Sequence, residues 1–294
     1  LLQEANSPDE VVGLLQEHEA AARLLMGGTD LFPGLREGHY RPRIVIDVKG
    51  LPGMGDILFE EGTGLTVGAA VTMNALVSDP NVQTHYPLLA QAAGTVASYQ
   101  VRNRATLGGN LCNASPCADT APAALVLEAE LELLGPIGVR TVPAEQFFTG
   151  PGQTVLRPDE FLTAIRFPPP ACGGARYLKL GRCRSGDLSL VGVAVCALSN
   201  GSGSGLDAST GTVQGFRVAL GSVAPTAVRA TGAEAILAAN PPGEETFARA
   251  AREAMAAASP ITDVRGSAGY QTAMVRTLTL RALRDVWAQI QEGS

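Results

Sequence analysis

The chain has 294 residues, long enough that two or three subdomains are expected rather than one core. Its net charge of −6 argues against nucleic acid as a main partner, and no run reaches the ~20 apolar residues of a membrane span. Hydrophobic residues make up 46% and charged residues 17%, a balance that suits a subunit with large protein interfaces, although alanine and glycine account for much of it.

The N-terminus shows no basic region followed by an apolar core, so no secretory signal is expected there. It does not begin with methionine, which leaves room for residues before Leu1. Pro8 to His18 reads as a helix with Val11, Leu14, Leu15 and His18 on one face. Leu24, Leu25 and Met26 read as a short strand, Gly27-Gly28 as its turn, and Thr29 or Asp30 as the cap of a following helix. Strand, glycine turn and helix start together present backbone N–H groups to a diphosphate. The spacing is not G-x-G-x-x-G, and no Gly-Lys-Ser/Thr follows. Ile44 to Val48 reads as a buried strand. Leu65, Val67, Ala69 and Val71 alternate as a half-buried one. Pro87 to Val96 reads as a helix with a small face of Ala90, Ala93 and Ala97.

Thr106 to Thr120 is the richest segment. Gly108 and Gly109 let a polar or flat group approach the main chain, while Asn110, Asn113, Ser115 and Thr120 supply donors. Asp119 stands where a helix over Ala121–Glu128 should be capped. A nucleotide or cofactor cradle is one reading; a glycine-rich turn followed by an ordinary capped helix is the other.

Leu127 to Leu133 and Phe161 to Phe167 read as strands. Pro168-Pro-Pro-Ala-Cys-Gly-Gly174 is the best domain boundary. Strands follow near Arg176–Leu180, Leu190–Leu198 and Phe216–Val223, with Asn200–Gly205 as a hairpin tip between the last two. Two helices, about Glu244–Ala258 and Gly269–Gln291, close the chain. The pattern is mixed α+β without regular βαβ alternation.

The five cysteines (112, 117, 172, 183, 196) include no Cys-x-x-Cys pair, so reduced thiols are expected rather than a disulfide framework or zinc ribbon. Cys112 and Cys117 read as small packing residues, and no metal is expected on this chain. His18, His39 and His85 are far apart and unaccompanied. With so thin a catalytic inventory, the hard chemistry belongs to a bound cofactor.

Met26-Gly-Gly-Thr-Asp-Leu31 and Val101-Arg-Asn-Arg-Ala-Thr-Leu-Gly-Gly-Asn-Leu-Cys-Asn-Ala-Ser-Pro-Cys-Ala-Asp-Thr-Ala-Pro122 resemble the two FAD-binding loops of the molybdenum hydroxylase flavoproteins, the medium subunits of xanthine dehydrogenase and carbon monoxide dehydrogenase type enzymes. The likeness runs along essentially the whole chain, through 41–48, 66–72, Tyr177–Arg182, Val191–Val195 and Pro260–Tyr270. It implies a two-subdomain FAD-binding domain of the vanillyl-alcohol-oxidase/PCMH type over 1–173, split near 50–60, and a smaller α+β domain of antiparallel sheet and helices over 174–294.

By the same resemblance, Gly27, Gly28, Thr29 and Asp30, flanked by Met26 and Leu31, line the FAD diphosphate. Thr106, Gly108, Gly109 and Asn110 form a second wall, Ser115 and Asp119 hold ribityl or ribose hydroxyls, and Lys179 reaches the flavin ring. Arg102 and Arg104 contact phosphate or a partner, or are simply solvated, and Asp187 is left without a role. Cys112 and Cys117 are not part of an inserted iron–sulfur segment like that of the hydroxybenzoyl-CoA reductases, because Ser115–Asp119 runs directly into the helix.

The implied activity is electron transfer. A large molybdenum-cofactor subunit acts on the substrate, a small subunit carries [2Fe–2S] clusters, and FAD on this chain passes electrons to NAD⁺, a quinone or another acceptor. The assembly is a cytoplasmic dimer of heterotrimers. The substrate is a purine, an N-heterocycle, an aldehyde or an aromatic acyl-CoA, with Asn113–Pro116 closer to the xanthine, N-heterocycle and hydroxybenzoyl-CoA branch than to the carbon monoxide branch. The alternatives are a stand-alone FAD-dependent oxidoreductase, a carbon monoxide dehydrogenase medium subunit, and a scaffold without flavin.

Overall fold

A computed structural model describes residues 1–183, 185–198 and 213–292. The chain divides into two compact units, each assembled from several stretches of sequence. Unit 1 comprises Leu1–Asp79, Ser98–Ser115 and Glu128–Pro169, and unit 2 comprises Pro80–Ala97, Pro116–Leu127 and Pro170–Ser294. Three non-glycine residues with left-handed backbone, Ala97 (φ 43°), Ala114 (φ 46°) and Glu128 (φ 52°), lie at or beside points where the chain passes from one unit to the other.

Unit 1 holds two main sheets. A small parallel one pairs Ile44–Asp47 with Leu2–Glu4 on one side and Ala22–Leu25 on the other. Helix Pro8–His18 packs on it, with Val11, Val12 and Leu15 buried and Leu14 and His18 less so. Its start is fixed locally: the Ser7 hydroxyl accepts from the Glu10 amide at 3.2 Å, the Glu10 carboxylate takes the Asn6 amide, and Pro8 occupies the first turn, where its missing N–H costs nothing.

The second sheet has five antiparallel strands. Phe161–Phe167 lies at its centre, between Gly64–Gly68 and Glu130–Gly135, and Ile57–Glu60 and Gly138–Pro143 form the edges. Leu65, Val67, Ala69 and Val71 are all buried, but the strand ends at Gly68, so Ala69 and Val71 lie beyond it. The strands Leu2–Glu4, Ile57–Glu60 and Gly138–Pro143 escape the sequence reading because they are short or polar. Gly138–Pro143 buries only Val142 and so shows no alternation.

Unit 2 is built on a four-stranded antiparallel sheet in the order Cys172–Leu180, Val191–Leu198, Gly215–Gly221, Val228–Arg229. Val191, Val193, Val195 and Ala197 face one way, into a core with helices Thr231–Ala239, Glu244–Glu253 and Ala268–Glu292, including Phe247, Leu283 and Val286. Gly192, Ala194 and Cys196 face the other way. On that side helix Thr120–Val126 packs against the sheet, close enough that a Cβ at Gly221 would sit 2.8 Å from the Pro122 ring.

The helix Thr231–Ala239 was not expected from the sequence; its N-cap position is Ala230, which offers no side-chain cap. Helix Pro87–Gly94 ends before Val96, and Ala97 lies beyond it. Asn200–Gly205 lies outside the described residues.

The cysteine expectation is corrected. Cys172 and Cys196 form a disulfide across adjacent strands; beside a register shift, Cys172 lies opposite Leu198, two residues along the strand from Cys196. Cys112, Cys117 and Cys183 are free.

Candidate functional site

In unit 1 the two glycine loops pack on each other. A Cβ at Gly27 would lie 2.2 Å from the Arg104 carbonyl oxygen, so only glycine permits the approach. Gly28 has φ 75°, the left-handed turn that ends strand Ala22–Leu25. Thr106 donates a long contact to Met26 Sδ at 4.0 Å.

Helix Leu31–Arg36 follows the turn, with Asp30 at its N-cap position. Asp30 does not cap it, since its backbone is already helical and its side chain makes no capping bond. Desolvation raises the Asp30 carboxyl above the ordinary value, and a hydrogen bond from Thr29 opposes the rise. Phe32 and Gly34 donate to the carbonyls of Gly28 and Asp30. Among the described residues, the amides of Gly27, Gly28, Thr29, Asp30 and Leu31 find no acceptor within the chain. A row of such amides at a left-handed turn is a nest for an anion, so this loop fits a diphosphate.

The second loop is differently made. Thr106 to Cys112 is not open loop: Leu107–Cys112 is a short helix, and the Thr106 hydroxyl accepts from the Gly109 amide at 3.1 Å. Leu107 and Gly108 donate to Val71 and Ala69, and Asn110 donates to Thr106. Gly108 is required by the protein's own packing, because a Cβ there would come within 2.5 Å of the Ala69 carbonyl oxygen. These amides are therefore occupied, and the loop offers a ligand side chains rather than backbone. Asn110 and Ser115 stand on it, partly exposed. Arg102 is not a free cation; its Nε donates to Asn74 Oδ1 at 3.1 Å.

Unit 2 carries Asp119 and Lys179. Asp119, at the start of Thr120–Val126, is also not a helix cap. It is buried, and its carboxylate turns to strand Cys172–Leu180: Tyr177 Oη donates to Oδ1 at 2.9 Å and Lys179 Nζ donates to Oδ2 at 2.7 Å. Lys179 Nζ also donates to the Thr95 carbonyl at 3.0 Å. Burial pushes the Asp119 carboxyl up, and the charge and hydrogen bond of Lys179, then the bond from Tyr177, pull it back.

Nearby, Arg265 is held by Asp263 and donates to Cys117 Sγ at 2.9 Å, so Cys117 is more than packing. The Cys112 thiol is pushed up to about 12 by burial and stays protonated. Asp187 pairs with Arg182 at 2.9 Å and has its carboxyl held well below the usual range. Tyr177, Thr95 and Arg265 were missed by sequence reasoning. The signal for Tyr177 was available, since residues two apart on a strand share a face with Lys179. Among the described residues no group of His, Cys, Asp or Glu side chains is arranged to hold a metal.

Residues 2–170 match the FAD-binding domain in molybdopterin dehydrogenase, and residues 176–286 match the CO dehydrogenase flavoprotein C-terminal domain. This chain belongs to the FAD-binding medium subunits of the molybdenum hydroxylases. It is similar to the carbon monoxide dehydrogenase medium chain of Hydrogenophaga pseudoflava, 39% identical over 96% of this chain and 95% of that one. It is also similar to a putative xanthine dehydrogenase FAD-binding subunit of Escherichia coli K12, 34% identical over 95% and 93%. Among solved structures it resembles the Hydrogenophaga carbon monoxide dehydrogenase with TM-score 0.91, covering 98% of this chain and 97% of that one. A quinoline 2-oxidoreductase from Pseudomonas putida 86 follows with TM-score 0.89 and 29% identity over 99% and 97%. No described helix is long and apolar enough to cross a membrane.

Proposed function

We propose that this chain is the FAD-carrying electron-transfer subunit of a cytoplasmic molybdenum hydroxylase, assembled with a large molybdenum-cofactor subunit and a small [2Fe–2S] subunit, two of each per complex. When bound, FAD would take electrons singly from the clusters and give them in pairs to NAD⁺, a quinone or another acceptor. The reading keeps a FAD-binding region over 1–173 and a C-terminal region over 174–294.

The observation that carries this reading is the row of free amides from Gly27 to Leu31 at a left-handed glycine turn. That row would hold the diphosphate, with Met26 behind it in contact with Thr106. Gly108 and Gly109 would act by bringing their short helix close, and Asn110 and Ser115 by their side chains. Lys179 would point its remaining N–H at the flavin, with Asp119 holding the ammonium in place.

The substrate would be oxidised or reduced on the large subunit. Asn113–Pro116 are closer to the xanthine, N-heterocycle and hydroxybenzoyl-CoA branch than to the carbon monoxide branch. Overall identity is higher to a carbon monoxide dehydrogenase chain, at 39%, than to a xanthine dehydrogenase chain, at 34%. Substrate assignment therefore falls to the large subunit's own sequence.

The test is capture of the native complex with this chain as bait, followed by flavin and metal analysis. FAD with co-purifying molybdenum and iron is expected. FAD without either metal would overturn the subunit reading in favour of a stand-alone flavoenzyme, and absence of FAD would overturn the cradle.

A further inference from the structure

Tyr177 and Lys179 stand two apart on strand Cys172–Leu180 and so share one face, opposite Ala194 and Gly192 of the neighbouring strand. Both reach the same carboxylate, and between them they occupy both of its oxygens. An ammonium has three N–H donors. Lys179 commits one to Asp119 and one to the Thr95 carbonyl, leaving one. The net charge that Lys179 and Asp119 together show a ligand is thus set by how far the carboxylate's charge is neutralised by its other donor.

Tyr177 is that donor, and it acts from inside the unit. It is buried, and its amide donates to Gln91 Oε1 at 2.9 Å. Its hydroxyl occupies space that only a glycine at 192 leaves free, because a Cβ there would lie 2.7 Å from Oη. A phenol placed this closely on an ionised partner is more than apolar filling; in a desolvated setting each donor to a carboxylate counts strongly.

We propose that Tyr177 is a positioning residue: by fixing Asp119 Oδ1 it keeps Oδ2 on Lys179 and so sets the net charge that the Lys179–Asp119 pair presents to the bound flavin. The proposal rests on the flavin-facing role assigned to Lys179 above. Without the hydroxyl, the carboxylate is less neutralised, the pair presents less positive charge, and the cofactor becomes harder to reduce.

The experiment is a redox titration of the flavin in the purified complex, with FAD content measured alongside. Tyr177→Phe should keep FAD and move the midpoint potential to more negative values. In an Asp119→Asn background the same change should add no further shift, since no carboxylate charge remains to be positioned. An unmoved potential in Tyr177→Phe, an equal shift in both backgrounds, or an assembled Tyr177→Phe complex without FAD would each overturn the proposal. If Tyr177→Phe does not assemble, Gly192→Ala displaces the hydroxyl with the ring intact; it should shift the potential the same way, and no shift overturns the proposal. A wild-type complex without FAD would instead overturn the parent reading.

Discussion

Glu160 is a buried carboxylate made safe by its surroundings. Arg140 donates to it from Nε at 2.8 Å and Nη2 at 2.7 Å, and the Arg157 amide donates at 2.9 Å. These bonds, led by the one from Arg140, hold its carboxyl below the ordinary value. A carboxyl whose folded pKa is depressed contributes stability that is present above its unfolded value, about 4.3, and is lost as pH falls through the folded one. Acid unfolding should therefore steepen below pH ~4. Glu160→Gln should cost about 2 kcal/mol at neutral pH and flatten that limb, as checked by denaturant titration at several pH values. Ala114 presents the opposite case, a left-handed backbone at a residue with a Cβ. Such a conformation costs roughly 1–2 kcal/mol, partly offset by the chain entropy a glycine would add. Ala114→Gly should thus be neutral or stabilising by up to about 1 kcal/mol, and Ala114→Val destabilising, in thermal melts. Lys179→Ala is a poor probe of redox role by itself, because it leaves the buried Asp119 with Tyr177 alone. It should destabilise unit 2 by about 3 kcal/mol, a loss that Asp119→Asn in the same chain should largely reverse.

At the scale of elements, the glycine turn before Leu31–Arg36 is the sharpest dependency. Gly27→Ala would drive a methyl into the Arg104 carbonyl, so the variant should lose FAD, seen as a colourless protein of normal helical content; a yellow protein would show that the loop can yield. Helix Pro8–His18 and strand Phe161–Phe167 were legible from the sequence to the residue. The first announces itself by Ser-Pro and Glu10, the second by an apolar run between turn residues. The turn at Gly27-Gly28 was legible as a turn, whereas Gly108 and Gly109 lie in the short helix Leu107–Cys112, and the reason for Gly108 was not legible. It answers the backbone of Ala69, nearly forty positions earlier, and no local pattern encodes such a contact. Thr29 or Asp30, and Asp119, were read as caps, and neither Asp30 nor Asp119 makes a capping bond: local preference favours a cap, while Tyr177 and Lys179 offer Asp119 stronger partners from a distant strand. Register likewise decides the cysteines. Cys172 and Cys196 meet only because two strands pair, 24 positions apart. Alkylation of the unfolded chain without reductant should label Cys112, Cys117 and Cys183 alone, and reduction should cost about 3 kcal/mol on a chain-entropy estimate.

At the scale of the whole molecule, neither unit is a continuous piece of sequence. Unit 2 takes Pro80–Ala97 and Pro116–Leu127 from the first half of the chain and combines them with everything after Pro169. Cleavage within Pro168–Gly174 should accordingly give two fragments that co-elute on gel filtration and separate only in denaturant; fragments that part in native buffer would contradict that architecture. The same interleaving imposes an order on synthesis. Gln91 and Asp119 leave the ribosome long before the strand that carries Tyr177 and Lys179, so the helices that carry or follow them must wait, their apolar faces uncovered, until the chain beyond Pro169 arrives. The nascent protein is therefore most exposed to aggregation and most in need of chaperones between those two moments, and slow translation there should lower its yield.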